Sequence, residues 1–109
     1  MRKKLASFGF VMVSLVSATS FAWDGTHMGK KISMVEFSTS NYHLRLRLEG
    51  SPALCASTAI WAYLNETDEN FKAISAAVLS AKALNQSINL YTTKDATTGY
   101  CKIGYFAVL

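Results

Sequence analysis

Proline occurs once in this chain of 109 residues, and cysteine and histidine occur only twice each. The two cysteines and two histidines show no spacing typical of a metal site, so the sequence predicts neither a metal nor another cofactor. The patterns G-x-S-x-G, H-E-x-x-H and the P-loop are also absent. These absences argue against an enzyme, and we expect a protein without catalytic residues.

Outside its first few residues, the chain has almost equal numbers of basic and acidic side chains. Three of the eleven lysines and arginines are Arg2, Lys3 and Lys4, and residues 23–109 contain eight basic side chains against seven acidic ones. A nucleic-acid-binding domain needs an excess of cations to neutralise phosphates. The sequence therefore argues against a nucleic-acid partner, although the whole chain has a net charge of +4.

The N-terminal segment has the features of a secretory signal peptide. An apolar stretch over residues 5–16 follows the three basic residues and is shorter than the roughly 20 residues that span a membrane. Ser20 and Ala22 supply small residues for cleavage between Ala22 and Trp23. We expect residues 1–22 to be removed, with an uncleaved anchor as the alternative. No later run is long enough to insert stably in a membrane, so an exported, periplasmic or secreted protein is expected.

The two cysteines, Cys55 and Cys101, both lie in the part predicted to be exported. Export places them in an oxidising compartment, and the absence of a C-x-x-C spacing argues against a redox pair. Closing a loop of about 46 residues is expected to stabilise the fold by roughly 4 kcal/mol. A structural disulfide is therefore the expected pairing.

Alternation of apolar and polar residues predicts most of the strands. The clearest is 42–48, with Tyr42, Leu44, Leu46 and Leu48 on one face and His43, Arg45 and Arg47 on the other. Strands are also predicted over 31–37, 55–64, 87–93 and 100–109, whereas residues 23–29 are expected to form an arm or loop. The apolar phase shifts at Met34-Val35, which predicts a bulge or a strand buried on both faces.

One amphipathic helix is predicted over residues 70–84. Its apolar residues recur at spacings of three and four, namely Phe71, Ile74, Ala77, Val78, Ala81 and Leu84. Thr67 or Asp68 is expected to cap its start, and Asn85 to end it in the left-handed conformation. The order β-β-β-α-β-β predicts one mainly β domain with one helix (α+β) over residues 23–109, a small bent sheet or partly open five-stranded barrel.

Aromatic and arginine side chains supply the candidate binding residues. Trp61 and Tyr63 lie in the predicted third strand, and Arg45 and Arg47 lie on the polar face of the second. Amphipathic aromatic side chains suit glycan binding and protein interfaces alike. The alternatives are core packing for Trp61 and a solvated strand face for the two arginines.

The order of elements resembles the B subunits of bacterial AB-type toxins, small secreted OB-fold proteins that assemble as rings of five. The resemblance covers residues 30–109 and includes the helix FKAISAAVLSAKALNQ followed by SINLYTT and the cysteine in YCKIGYFAVL. It implies a five-stranded OB-like domain. The chain is also similar to small exported proteins of gammaproteobacteria that share W-x-G (Trp23 to Gly25), N-[FY]-K (Asn70 to Lys72) and C-x-I (Cys101 to Ile103). Cys55 departs from the cholera-toxin-type cysteine pattern, and no receptor-binding residue is carried over.

Two functions remain open from the sequence. The first is an exported, non-enzymatic binding module for a glycan or a protein, similar to a toxin B subunit. The second is a monomeric periplasmic structural, accessory or inhibitor protein. A homo-oligomer is also expected, because the strand 42–48 offers an edge for pairing, with Arg45 and Arg47 near acidic residues of the neighbour.

Overall fold

The computed structural model describes residues 23–109, so the predicted signal peptide, with Ala22, lies outside the described residues. The elements are β1 (Gly25–Phe37), β2 (Leu44–Leu48), β3 (Ala62–Leu64), α1 (Phe71–Ala83), β4 (Ser87–Lys94) and β5 (Cys101–Val108). Within residues 23–109 the fold is mainly β with one helix, as the sequence predicts.

The five strands close into a ring in the order β1-β2-β3-β5-β4. Four of the pairings are antiparallel. The fifth is a short parallel pairing in which Ala62 and Tyr63 of β3 lie opposite Cys101 and Lys102 of β5. The second half of β1 pairs with β2 and the first half with β4, so this long strand belongs to both sides of the ring.

The core fills the inside of the ring. Leu44, Leu46 and Leu48 of β2 are buried, as their alternation predicts. They meet buried side chains of every other element: Ile32, Leu54, Leu64, Val78, Ala81, Ile88, Leu90 and Ile103. Each fully buried leucine contributes roughly 2 kcal/mol through burial of apolar surface. Tyr42 does not join this face, because it lies before β2 with a φ of 60°, and this part of the prediction is wrong.

The segment predicted as an N-terminal arm is the first half of β1. Residues 25–31 pair with β4, and the Asp24 N–H donates to the Thr92 carbonyl (2.9 Å). The Asp24 carboxylate accepts a hydrogen bond from the Lys94 N–H (2.7 Å). The predicted bulge is present, because the register of β1 against β2 shifts between Ile32 and Met34.

The predicted third strand is mostly loop. Only Ala62–Leu64 forms β3, and Cys55 and Ala56 both have positive φ angles, 49° and 54°, which interrupt an extended strand. Strand β2 is not a free edge over residues 44–46, because it pairs with β1 on one side and β3 on the other. Arg45 therefore does not lie on an open edge, whereas Arg47 lies beyond the residues that β3 pairs. The expected contact of the two arginines with a second chain stays a prediction.

Helix α1 matches its prediction except at its start. Asn70 occupies the N-cap position without a side-chain hydrogen bond to the helix. Asp68 does not cap it, because its carboxylate binds Lys102 and the Asn65 N–H instead. At the other end Asn85 has a φ of 54°, the left-handed conformation predicted for it.

Candidate functional site

Four aromatic rings gather on the outside of the ring where β2, β3 and β5 begin. We call Tyr42, Trp61, Tyr63 and Tyr100 the aromatic cluster. Tyr42 contacts the other three edge-on, with centroid distances of 5.7 Å to Trp61, 4.7 Å to Tyr63 and 5.4 Å to Tyr100. Trp61 and Tyr100 lie 4.7 Å apart. Aromatic pairs at these distances stabilise one another, so the cluster is held in one arrangement.

A disulfide fixes the segment that carries Trp61. Cys55 and Cys101 form the expected bond, with Cα atoms 5.5 Å apart. It joins the loop before β3, rather than a strand, to the start of β5. The Ser57 hydroxyl donates to the Leu54 carbonyl (3.1 Å) and accepts from the Ala59 N–H (3.1 Å). The loop is therefore closed tightly against the strand that follows Tyr100.

A tight turn between β4 and β5 positions Tyr100. The Asp95 carboxylate accepts hydrogen bonds from the N–H groups of Thr97 (2.8 Å) and Thr98 (3.1 Å). These bonds, led by the one from Thr98, lower the pKa of Asp95 below its ordinary value. The Tyr100 N–H donates to the Thr98 hydroxyl oxygen (3.1 Å). Asp95 thus serves as the turn's internal acceptor.

The structure brings three of the four predicted binding residues together. The Arg45 guanidinium lies 5.6 Å from the centroid of the Trp61 ring, a cation–π distance. Arg45 also lies opposite Tyr63 across the β2–β3 pair. Arg47 lies one pleat further along β2, opposite Met34 of β1. Arg47 is therefore outside the aromatic cluster.

Tyr63 is the buried support of the cluster. Its side chain is 4% exposed, and its hydroxyl donates to the Asp95 carboxylate at 3.4 Å. Burial, followed by the negative charge of Asp95, raises the pKa of the Tyr63 hydroxyl to about 12. Tyr63 therefore stays neutral and orients its neighbours, and a ligand would meet Trp61 and Tyr100.

A chain of polar contacts holds Tyr42 in its left-handed conformation. The Tyr42 N–H donates to the Asn65 side-chain oxygen (2.6 Å). The Asn65 N–H donates to the Asp68 carboxylate (2.8 Å), whose other oxygen lies 2.8 Å from Lys102 Nζ. Burial alone would raise the pKa of Asp68, but the hydrogen bonds from Lys102 and Asn65 outweigh it and lower that pKa. This network connects the loop before β2 to β5.

Trp61 and Tyr100, two members of the cluster, form one wall of an open cleft of about 450 Å³. The opposite walls are the disulfide-bonded loop and the turn between β4 and β5. Its lining combines aromatic surface with hydroxyl groups and one ammonium group: Ser57, Thr58, Trp61, Lys94, Thr98 and Tyr100. A cavity of this size suits a small ligand or one end of a larger one.

A second group of aromatic side chains includes Trp23, the residue that follows the predicted cleavage site. Trp23 packs against Tyr91 with centroids 5.6 Å apart, and Tyr91 stacks on Tyr105 at 4.7 Å. The Trp23 ring also lies over Gly104, where a Cβ atom would come within 2.2 Å of it. The residue expected to begin the exported chain is therefore packed onto β4 and β5.

We compared the chain with protein-family models, curated proteins and solved structures. No protein-family model, curated protein or solved structure matches the chain. Within residues 23–109, no three histidine, cysteine, aspartate or glutamate side chains are grouped closely enough to hold a metal ion. In the same part of the chain, no helix combines the length and the apolar character needed to cross a membrane.

Two members of the aromatic cluster are not predicted as binding residues from the sequence. Tyr42 is predicted to face inward, and Tyr100 is predicted only as the beginning of a strand. Both lie beside turns, and their approach to Trp61 depends on a positive φ angle at Tyr42 and on the hydrogen bonds within residues 95–100. The available signal is their position next to the turn sequences STSN and DATTG.

Proposed function

We propose that the ring is an OB-fold. Supporting this are the order β1-β2-β3-β5-β4, the helix between β3 and β4, and the long β1 shared by both sides. OB-folds bind oligonucleotides and oligosaccharides on the face of strands 2 and 3 and on the loops 1–2 and 4–5. In this chain Arg45 lies on β2, Tyr42 in loop 1–2 and Tyr100 in loop 4–5, and Trp61 comes directly before β3.

The protein, in this proposal, is an exported binding module that lacks catalytic activity. The predicted signal peptide and the disulfide between Cys55 and Cys101 support export. Three carboxylates beside the aromatic cluster or Arg45 are already engaged, which supports a non-catalytic role. Asp95 holds a turn, Asp68 is paired with Lys102, and Glu36 lies 3.7 Å from Arg45. The resemblance to toxin B subunits points the same way, towards recognition of a ligand on a cell surface.

The ligand class that best fits the cleft is a carbohydrate. A pyranose has an apolar face that packs on Trp61 or Tyr100 and a rim of hydroxyl groups. Those hydroxyls can exchange hydrogen bonds with Ser57, Thr58 and Thr98, which line the same cleft. A nucleic acid fits less well, because residues 23–109 have nearly balanced charge. The observation that carries the proposal is the joint placement of Trp61 and Tyr100 at the cleft.

The test is a titration followed by nuclear magnetic resonance. The exported protein, labelled with ¹⁵N, is titrated with methyl galactoside, methyl mannoside, N-acetylglucosamine and lactose at millimolar concentrations. We expect at least one of these sugars to shift the amide signals of residues 57–61 and 95–100 and the indole signal of Trp61. The indole of Trp23, which packs on Tyr91 and Gly104 and does not line the cleft, serves as an internal control.

Two results would contradict the proposal. Absence of shifts with every sugar would remove the carbohydrate assignment. Shifts confined to Trp23, Tyr91 and Tyr105 would place the ligand on the other aromatic group and leave the cleft without a role.

A further inference from the structure

Most of β5 has one unpaired edge. Strand β3 reaches only Cys101 and Lys102, and from Ile103 to Val108 the sole partner of β5 within residues 23–109 is β4. An unpaired edge presents backbone N–H and C=O groups that can bind another strand. The sheet is therefore closed at one end of β5 and open at the other.

The hydrogen bond from the Leu109 N–H to the Ser87 carbonyl (3.0 Å) fixes which groups face outward. Bonding in an antiparallel ladder alternates, so Ala107 and Tyr105 also bond to β4, opposite Asn89 and Tyr91. Phe106 and Val108 then direct their N–H and C=O groups away from β4. These two residues carry the donors and acceptors of the free edge.

This edge lacks two of the features that usually discourage strand pairing, although β5 has a bulge at Gly104, where its register against β4 shifts. Residues 103–109 contain no charged residue and no proline, although charges and proline are the usual protection of an edge. Tyr105, Val108 and Leu109 are 44%, 40% and 61% exposed. Beside the edge the helix presents Ala73 and Ala77, and an open hollow of about 310 Å³ separates them from Gly104 and Phe106. The helix therefore leaves an open space beside residues 104–106 of the strand.

We propose that β5 pairs antiparallel with β5 of a second copy of this chain, about a twofold axis at Ala107. In that register Phe106 bonds to Val108 of the other copy through the free backbone groups. Tyr105 lies opposite Leu109, and the small Ala107 lies opposite itself. The arrangement places each large exposed apolar side chain of the strand opposite an apolar side chain of the other copy, which is what favours a second copy over an unrelated peptide.

A cysteine at the axis tests this register. Opposed residues in a non-hydrogen-bonded pair have Cα atoms about 4.5 Å apart, within the range of about 4.4–6.8 Å that a disulfide spans. Ala107→Cys is therefore expected to form a disulfide-linked dimer in most molecules under mild oxidation. Ala76→Cys, on the exposed side of the helix, is the matched control and is expected to remain largely monomeric. Mass spectrometry verifies that the Cys55–Cys101 bond is retained.

A proline on the free edge provides the second test. Val108→Pro removes an N–H that β4 does not use, so the monomer is expected to keep its circular dichroism spectrum. Light scattering is expected to show dimer for the wild type at high micromolar concentration, and at least tenfold weaker association for Val108→Pro. Equal cross-linking of the two cysteine variants, a wild type that stays monomeric, or a larger assembly insensitive to Val108→Pro would each overturn the proposal.

Discussion

Trp61 and Tyr63 lie two positions apart in the chain and belong to the same aromatic cluster, but solvent reaches them differently. Tyr63 is buried and bonded to Asp95, whereas Trp61 is half-buried and lines the cleft beside Tyr100. Tyr63 therefore positions the other rings, whereas Trp61 has exposed surface that a ligand can contact. Replacement of Trp61 therefore tests binding more directly than replacement of Tyr63.

Gly104 is required by the ring of Trp23 that lies over it. In Gly104→Ala the new Cβ would overlap the indole, so either the strand or Trp23 must move. We expect the free energy of unfolding, measured in urea, to fall by about 1–3 kcal/mol. In a Trp23→Ala background the same substitution should cost much less. Equal costs in the two backgrounds would show that the indole is not packed there.

Asp68 is expected to make stability depend on acid pH. The pKa of its carboxyl is lower in the folded protein than its ordinary value of 3.8. The folded state then binds fewer protons than the unfolded state, so the contribution is fully present above pH 3.8 and is lost as the pH falls below it.

The matched variant for this effect is Asp68→Asn, which removes the charge opposite Lys102. It should be less stable than the wild type by about 1 kcal/mol at neutral pH. The difference should shrink as the pH drops below 3.8. Urea unfolding at a series of pH values measures it, and a difference that grows in acid would reverse the sign we assign.

At the scale of elements, the disulfide joins the two walls of the cleft. It connects the loop that leads to Trp61 with the strand that follows Tyr100. Cys55→Ser, compared with the wild type in denaturant, is expected to lose about 2–5 kcal/mol of stability. The loss should be similar for Cys101→Ser, since both variants remove the same bond. Two free thiols in the exported wild-type protein would contradict this account.

Local pattern predicts some elements well and others poorly. Strand β2 and helix α1 are found because their buried side chains recur with the period of the element, as Leu44, Leu46 and Leu48 show. The first half of β1 lacks such a period, since its pairing with β4 rests on backbone bonds and on the Asp24 carboxylate. Residues 23–29, with the sequence WDGTHMG, therefore have the pattern expected of a loop.

Only part of the candidate site could be predicted from the sequence, because the rest also depends on backbone conformations that local patterns do not show. The sequence identifies three candidate binding residues by their side-chain type and their place in a predicted strand: Arg45, Trp61 and Tyr63. Tyr42 joins them through a left-handed turn, and the segment before β3 is shaped by positive φ angles at Cys55 and Ala56. Such angles are uncommon for these residues and follow from tertiary contacts, so composition does not reveal them.

At the scale of the whole molecule, the proposed binding cleft and the proposed dimer interface lie at opposite ends of β5. The cleft lies where the strand begins, beside Tyr100, and the proposed twofold axis lies near its other end, at Ala107. A dimer would therefore leave both clefts open. Two clefts on one particle would strengthen attachment to a surface that displays many copies of a glycan, because the second contact becomes intramolecular.

The central claim is that the cleft beside Trp61 binds the ligand. The most direct measurement is the dissociation constant, by isothermal titration calorimetry, for the sugar that gives the largest NMR shifts. Trp61→Ala is compared with Tyr105→Ala, which removes an exposed aromatic ring that does not line the cleft. We predict at least tenfold weaker binding for Trp61→Ala, as expected when an aromatic anchor is removed, and a change of less than about twofold for Tyr105→Ala. Equal affinities for Trp61→Ala and the wild type would contradict the account.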